Sequence, residues 1–573
     1  MARHLLRTFT SLLLLLSALP LAQAASPAVE RWADEFEPSS ETRGFRVKEL
    51  SWFEEKGKAY AGKTITAVAE DIPTHFWERD VLAKAFEEIT GIKVQFDVIG
   101  EGAVVEDIFK QMSQGTHLYD IYVNDADNVG THTRLKSVVN LTEYMRGEGK
   151  NITNPYLDLP DFLNLEFGQD YDGNQLQLPD QQFANLYWFR YDWFSRPDLR
   201  EQFRAFTAKK YGAANAYDLD VPVNWAAYED IAEFFTNTKV DGEQTYGHVD
   251  FGKKSPSLGW RFTDAWLSIA GAGDKGLPNG LPVDEWGIRV ENRIPVGSSV
   301  TRGGATNGPA AVYALQTYID WLQTYAPPAA RQGTFSDNNI EAAKGHVAQQ
   351  IFLYTLWLSQ PEYNKGIMLG KDGLPVWRVA PTPHGKYWEE GMKAGYQDAG
   401  SWTIPLDTKG PRRAAAWLFA QFCVSKTVSV QKFLKGMTPI RKSTLHAAYI
   451  QEHKARWGGL IDFYTSTDAK LWTDSGLNVP HYPLLFRIWW DNLDKAINGQ
   501  LTAQQAMDAI ARGQDDLMAQ MHMAQYSPKL NPEKPPAYWL NRPGAPKAPR
   551  EREKPMTIPY EKIMQRWAET QAK

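Results

Sequence analysis

The chain has 573 residues, 43% of them hydrophobic and 23% charged, which excludes a disordered, collagen-like or coiled-coil protein and allows three or four ordinary domains or two large lobes. Lysine plus arginine number 62 and aspartate plus glutamate 68, a formal charge of −6 without the cationic excess that phosphate-backbone binding needs, so nucleic acid is not an expected partner. The single cysteine, Cys423, leaves no internal disulfide to form.

Residues 1–24 read as an export signal. Arg3 and Arg7 precede an apolar run from Leu12 to Leu16 that continues to Leu21, and Ala22-Gln23-Ala24 offers the small residues of a cleavage site. That apolar core is shorter than a bilayer span and contains Ser17 and Pro20. No cysteine follows the cleavage position, so the expectation is a periplasmic monomer cut near Ala24, with no membrane anchor.

From Lys63 to Asp125 the pattern alternates. Thr64 to Ala69 is a short β-branched and apolar strand. Phe76, Val81, Leu82, Phe86 and Ile89 recur at helical spacing and stop at Gly91; Ile92 to Ile99 is a second strand. Val104 to Met112 make an amphipathic helix ending near Gly115, and Tyr119 to Val123 a third strand. Such alternation predicts a parallel sheet covered by helices, with ligand in the crevice beyond the carboxyl ends of its strands. Glu70, Asp71, Glu101, Asn124 and Asp125 stand at those ends, as candidate ligand contacts or as caps of the next helices.

Further along, Asp170-Tyr171-Asp172-Gly173-Asn174 begins like a calcium loop, but Gln175 and Gln181 stand where its sixth and twelfth positions fall, and a hairpin turn at Asp172-Gly173 fits better. Asn224 opens a helix through Phe235. Gly271-Ala272-Gly273 to Gly276 matches a dinucleotide glycine pattern, yet a helix-like stretch precedes it and Pro278 follows, so it reads as a loop. Residues 528–559 are rich in proline and predicted to be extended, with Tyr538, Trp539, Ile558 and Tyr560 able to dock them.

No cofactor or metal is expected. The eleven histidines include no His-Glu-x-x-His or Cys/His cluster, and Gly-x-Ser-x-Gly elbows and Walker loops are absent. Two carboxylates from distant positions could still meet as in a glycoside hydrolase, which keeps a secreted carbohydrate-active enzyme as an alternative. A noncatalytic surface-interaction protein is a third reading.

The segment Leu178-Pro179-Asp180-Gln181-Gln182-Phe183-Ala184-Asn185-Leu186-Tyr187-Trp188-Phe189-Arg190-Tyr191-Asp192-Trp193-Phe194 resembles the Leu-Pro … Tyr-Asn-Lys-Asp-Leu-Phe signature of the solute-binding proteins of sugar-type ABC importers. Pro222-Val223-Asn224-Trp225, Gly345-His346-Val347-Ala348-Gln349 and Gly400-Ser401-Trp402-Thr403-Ile404 with Arg412 to Trp417 resemble further blocks of that family, in the same order. Gln181 to Tyr191, with Trp260 to Trp266, is most similar to the glycerol-binding branch. Phe189-Arg190-Tyr191 and Asn224-Trp225 depart from the usual wording, as in a divergent member.

The resemblance implies a two-lobed α/β clamp, each lobe a mostly parallel sheet covered by helices. Lobe one would take 26–178 and 400–438, lobe two 179–399 and 439–525, and 526–573 would be a proline-rich tail. Met437 to Arg441 looks like the last crossing. It also implies capture of glycerol or a related neutral polyol or small sugar by hinge closure, delivery to ABC permease subunits, and no catalysis.

A polyol pocket needs carboxylates or amides beside aromatic faces, because hydroxyls donate and accept while CH edges are weakly apolar. Besides the strand-end acids, Asp180, Gln182, Tyr187, Trp188, Trp260, Asp264, Tyr396, Asp398 and Trp402 supply that mixture. Each has a plainer reading: Tyr187 and Trp188 alternate on a strand, so one would be core; Asp264 can pair with Arg261 on the same helix face; large aromatics pack cores by default.

Overall fold

Strands β1 (Thr64–Glu70), β2 (Lys93–Ile99) and β3 (Ile121–Asn124) form where the β-branched runs lie, and β1 pairs in parallel with both of the others. The computed structural model describes residues 25–276, 282–352, 369–540, 542–544 and 547–571; the export signal lies outside them. Between β1 and β2 the chain is helical from Pro73 to Thr90, with a π-helical turn at Glu78–Leu82, and ends at Gly91 with φ of 74°. The helix Glu101–Gln114 ends likewise at Gly115, φ 67°. Both glycines take the left-handed conformation that closes a helix at no steric cost.

Downstream come β4 (Leu178–Pro179), β5 (Phe183–Ala184), β6 (Leu186–Arg190), β7 (Gly395–Asp398) and β8 (Ser401–Thr403). The first sheet has the order β2-β1-β3-β8-β4, with β8 antiparallel to both neighbours. Its core gathers Phe86, Phe96, Trp402, Trp417, Phe419, Phe422 and Cys423, and the N-terminal helices Pro27–Glu35 and Arg43–Gly57 add Val29, Leu50 and Phe53.

A second core runs from Phe183 through Trp266, Trp321 and Trp489 to Trp567. There β6 lies between Gln349–Phe352 and Trp377–Ala380, antiparallel to each, and β7 lies between β5 and Trp472–Thr473. The mostly parallel sheet expected in both lobes is therefore confined to the first body. In the second, strands of two to five residues are brought together from distant parts of the chain instead of alternating with helices.

The two bodies are joined where β4 runs on to β5 and β7 to β8. The carbonyl of Gly400 accepts from the amides of Asp180 and Gln181 at 2.8 and 3.0 Å, tying the two connections side by side. A Cβ on Gly400 would fall 2.5 Å from the Gln181 side chain, so a larger residue would have to displace the amide that donates to Glu70. A third connection follows Met437, whose side chain packs in the second core while Ile440 packs in the first.

The tail crosses the second body. Trp539 is buried beside Arg289; Thr557–Ile558 pairs antiparallel with Val221–Pro222; and the helix Tyr560–Glu569 inserts Ile563 and Trp567 into the second core. Arg302 holds the tail through Glu533 at 3.1 Å. The Asp170 carboxylate accepts from the amides of Asp172 and Asn174, closing the expected turn at Gly173. Gly271 is left-handed at the end of a helix, so the glycine run there is a loop. Among the described residues no helix is long and apolar enough to cross a membrane.

Candidate functional site

Three parallel strands deliver one carboxylate each to the same edge of the first sheet. Glu70 is the last residue of β1, Glu101 opens the helix after β2, and Asp125 follows β3. All three are half-buried, neither sealed in a core nor on an open surface. Asp127, two residues beyond Asp125, is buried.

The second body faces this edge with Trp260, Asp264, Tyr396 and Asp398, and with two residues that no sequence pattern marks, Ser475 and Tyr482. The Trp260 indole bonds to Glu101. The Tyr396 hydroxyl lies 3.3 Å from a carboxylate oxygen of each of Asp127 and Asp398. Ser475 Oγ lies 2.8 Å from Asp127 Oδ1 and 2.9 Å from Asp264 Oδ1, and the Trp286 indole donates to Asp264 at 3.0 Å. One hydroxyl proton cannot serve two carboxylates, so Ser475 satisfies both only if one of them is protonated. The Gln181 amide donates to Glu70 at 2.6 Å.

Asp264 reaches the cleft because Arg261–Trp266 is a π-helical turn, which widens the helix locally and turns Arg261 and Asp264 to different partners. Arg261 forms a fully buried ion pair with Asp250 at 2.6 Å and not the expected pair with Asp264.

The electrostatics of the cleft are one-sided. Burial raises the pKa of Glu70, Glu101, Asp125, Asp127, Asp264 and Asp398, and repulsion from other carboxylates of the group adds to it at Glu101, Asp125, Asp264 and Asp398. Glu101 is pushed up to about 8, by burial and then by Glu70. Asp125 and Asp398 lie well above the usual carboxylate range, each within the field of Glu70, Glu101 and Asp127. Lys393 acts on Asp127, but its ammonium is already bonded to Glu285 and to the carbonyl of Asp474, both at 2.8 Å.

Asp180 belongs elsewhere. Lying on the β4–β5 connection, it forms a buried cluster with His75, Glu78 and Lys432. Lys432 Nζ bonds Glu78 at 2.6 Å and also Asp180, while His75 Nε2 is 3.6 Å from Asp180 and Nδ1 lies 2.7 Å from the Glu70 carbonyl. His75, Glu78 and Asp180 form the only group of three or more potential metal donors gathered this closely among the described residues, and the ammonium lies among them. Burial would raise Asp180, but Lys432 and His75 outweigh it and hold its pKa below the usual value; Glu78 rises to about 8 through burial and then the charge of Asp180.

The other predicted contacts are structural. Tyr187 is fully buried, stacks on Phe189 and donates to Gln349 at 2.7 Å; Trp188 is fully buried in the second core. Trp402 packs between Phe96 and Phe419 in the first core. Gln182 braces the connection, accepting from Asn164 at 2.9 Å and donating to the Leu163 carbonyl at 2.5 Å. These residue types suit a sugar wall, but the second body covers both faces of β6, and the helix Gly410–Cys423 covers the Trp402 face of β8.

Residues 76–429 match the family described as bacterial extracellular solute-binding proteins. A search of curated proteins finds no match. Among solved structures, the chain is similar to an ABC transporter solute-binding protein from Agrobacterium radiobacter K84 in complex with ribitol, at 19% identity and a TM-score of 0.61, covering 80% of this chain and 99% of that one. It is also similar to maltose-bound MalE3 of Thermotoga maritima (T. maritima), at 17% identity and a TM-score of 0.57, covering 80% and 100%. A third is a solute-binding protein from Agrobacterium vitis S4 with bound D-mannitol, at 14% identity and a TM-score of 0.57, covering 81% and 100%. These likenesses establish the two-lobed binding-protein fold.

Proposed function

Because the chain belongs to the bacterial extracellular solute-binding proteins, we propose that it is the capturing component of an ABC importer for a small polyhydroxylated solute, glycerol or a related polyol or small sugar, which it passes to membrane permease subunits. The observation that carries this reading is the carboxylate-lined cleft at the carboxyl edge of a parallel sheet, faced by a second body on crossing strands. Ligand hydroxyls donate to Glu70, Glu101, Asp125 and Asp398, while the unpartnered Tyr482 hydroxyl offers a donor in return. The family is one of binding proteins, not enzymes, so two carboxylates near one another here need no hydrolytic role.

In this reading 26–178 with 400–438 and 179–399 with 439–525 are the two lobes, 526–573 travels with the second, and the hinge lies at Asp180–Gln182 and Ala399–Gly400. Closing the lobes without solute crowds like charges, which favours the open state; bound solute supplies the differential contact that closes it. The mature protein works as a periplasmic monomer after cleavage near Ala24.

A thermal-shift and tryptophan-fluorescence series with glycerol, ribitol, mannitol and maltose tests the proposal. A solute at 100 times its Kd stabilises the folded state by about 2.7 kcal/mol. Silence towards polyols, monosaccharides and disaccharides alike would defeat it.

A further inference from the structure

Resting on that reading, we infer that the solute carries an amine, and that the cleft selects an aminated polyol or amino sugar over its neutral counterpart. Six carboxyl groups, Glu70, Glu101, Asp125, Asp127, Asp264 and Asp398, meet at the cleft from both bodies. The cations nearest to them already have carboxylates of their own: Lys393 is bonded to Glu285 and the Asp474 carbonyl, Lys432 to Glu78 and Asp180, Arg261 to Asp250, and His75, whose charge reaches Glu70, lies 3.6 Å from Asp180.

A neutral polyol asks a pocket for donors and acceptors in similar number. As its carboxyls ionise, this cleft offers acceptors in excess and buries charge of one sign. An ammonium brings three donors and no acceptor, and it cancels one of the charges. A single metal ion has less support: the close grouping of three metal donors found among the described residues is His75, Glu78 and Asp180, outside these six carboxyls.

Two further atoms point to an occupant. Tyr482 is 1% exposed and its hydroxyl has no hydrogen-bond partner, although its phenol lies in the field of Asp127, Asp264, Asp125 and Glu101; Asp264 is fully buried and its Oδ2 is likewise unpartnered. A ligand that both donates to Asp264 and accepts from Tyr482, as a molecule with an ammonium and a hydroxyl does, satisfies both.

The test is titration calorimetry on the full mature protein with matched pairs: glycerol against 3-aminopropane-1,2-diol, sorbitol against 1-amino-1-deoxysorbitol, and glucose against glucosamine. The inference expects the amine of at least one pair to bind about tenfold or more tightly than its partner. It also expects that binding to tighten from pH 5 to pH 8 as the carboxyls lose protons. Asp398→Asn and Glu101→Gln should each shrink the amine-to-neutral ratio, whatever they do to overall affinity. Equal or tighter binding of the neutral member in every pair overturns the inference and leaves the polyol reading intact. Binding of no member of any pair overturns the inference, and it overturns both if ribitol, mannitol and maltose are silent as well.

Discussion

Glu70 and His75 are five residues apart, yet they serve two buried acid clusters of opposite design. Around His75 the carboxylates of Glu78 and Asp180 enclose the Lys432 ammonium, so charge is compensated within the protein. Around the Glu70 end of the cleft six carboxyls gather, while the cations that reach them, His75 at Glu70 and Lys393 at Asp127, have other carboxylates beside them, Asp180 and Glu285. Compensated charge fixes a geometry, here where β4 leaves the first sheet. Uncompensated charge is a cost the protein alone does not relieve, and it is tolerable in a site that spends part of its time open or filled.

The contrast is sharpest under substitution of the lysine. Lys432→Met should destabilise the protein by about 3–5 kcal/mol in denaturant unfolding, because the buried Asp180 and Glu78 lose their ammonium and only His75 remains beside them. Asp398→Asn should do the reverse: at pH 8 stability rises by about 1 kcal/mol as a repulsive charge disappears, while affinity for the solute falls about tenfold or more. Loss of stability in that variant would place Asp398 among the compensated groups.

Titration reads a raised carboxyl in each cluster. A carboxyl whose pKa is raised on folding costs nothing when protonated and destabilises once ionised, so stability should fall as pH rises from about 4.5 through about 8, the range set by Glu101 and Glu78. Glu101→Gln should flatten that decline, and saturating solute should flatten it too. The smallest effect belongs to a residue in neither cluster: Tyr187→Phe removes one buried hydrogen bond to Gln349, costs about 1 kcal/mol and leaves solute affinity unchanged.

Much of the first body is legible in the sequence because its strands and helices alternate locally, each with its own hydrophobic period and with Gly91 and Gly115 as stops. The rule that ligands lie beyond strand ends then picks out Glu70, Glu101 and Asp125. It cannot reach Ser475 or Tyr482, which lie 350 to 412 residues downstream, one in a loop and the other at the start of the helix Tyr482–Ile497, and carry no motif. Tyr187, Trp188 and Trp402 mislead for a physical reason: alternation assigns one face of a strand to solvent or ligand only when that face is uncovered, and these strands are covered on both sides. Asp180 stands in the family's signature segment, but its neighbours are helical residues that approach only once the bodies are assembled.

The π-helical turn at Arg261–Trp266 makes solute capture sensitive to chain length as well as to side-chain identity. Excising one residue from 261–266 would restore regular α-helical winding and rotate the C-terminal part of the helix by about 100° relative to its N-terminal part. Arg261 and Asp264 could not then keep both of their present bearings, so a single in-frame codon loss on this helix would disarm the cleft while leaving every carboxylate in the translated sequence.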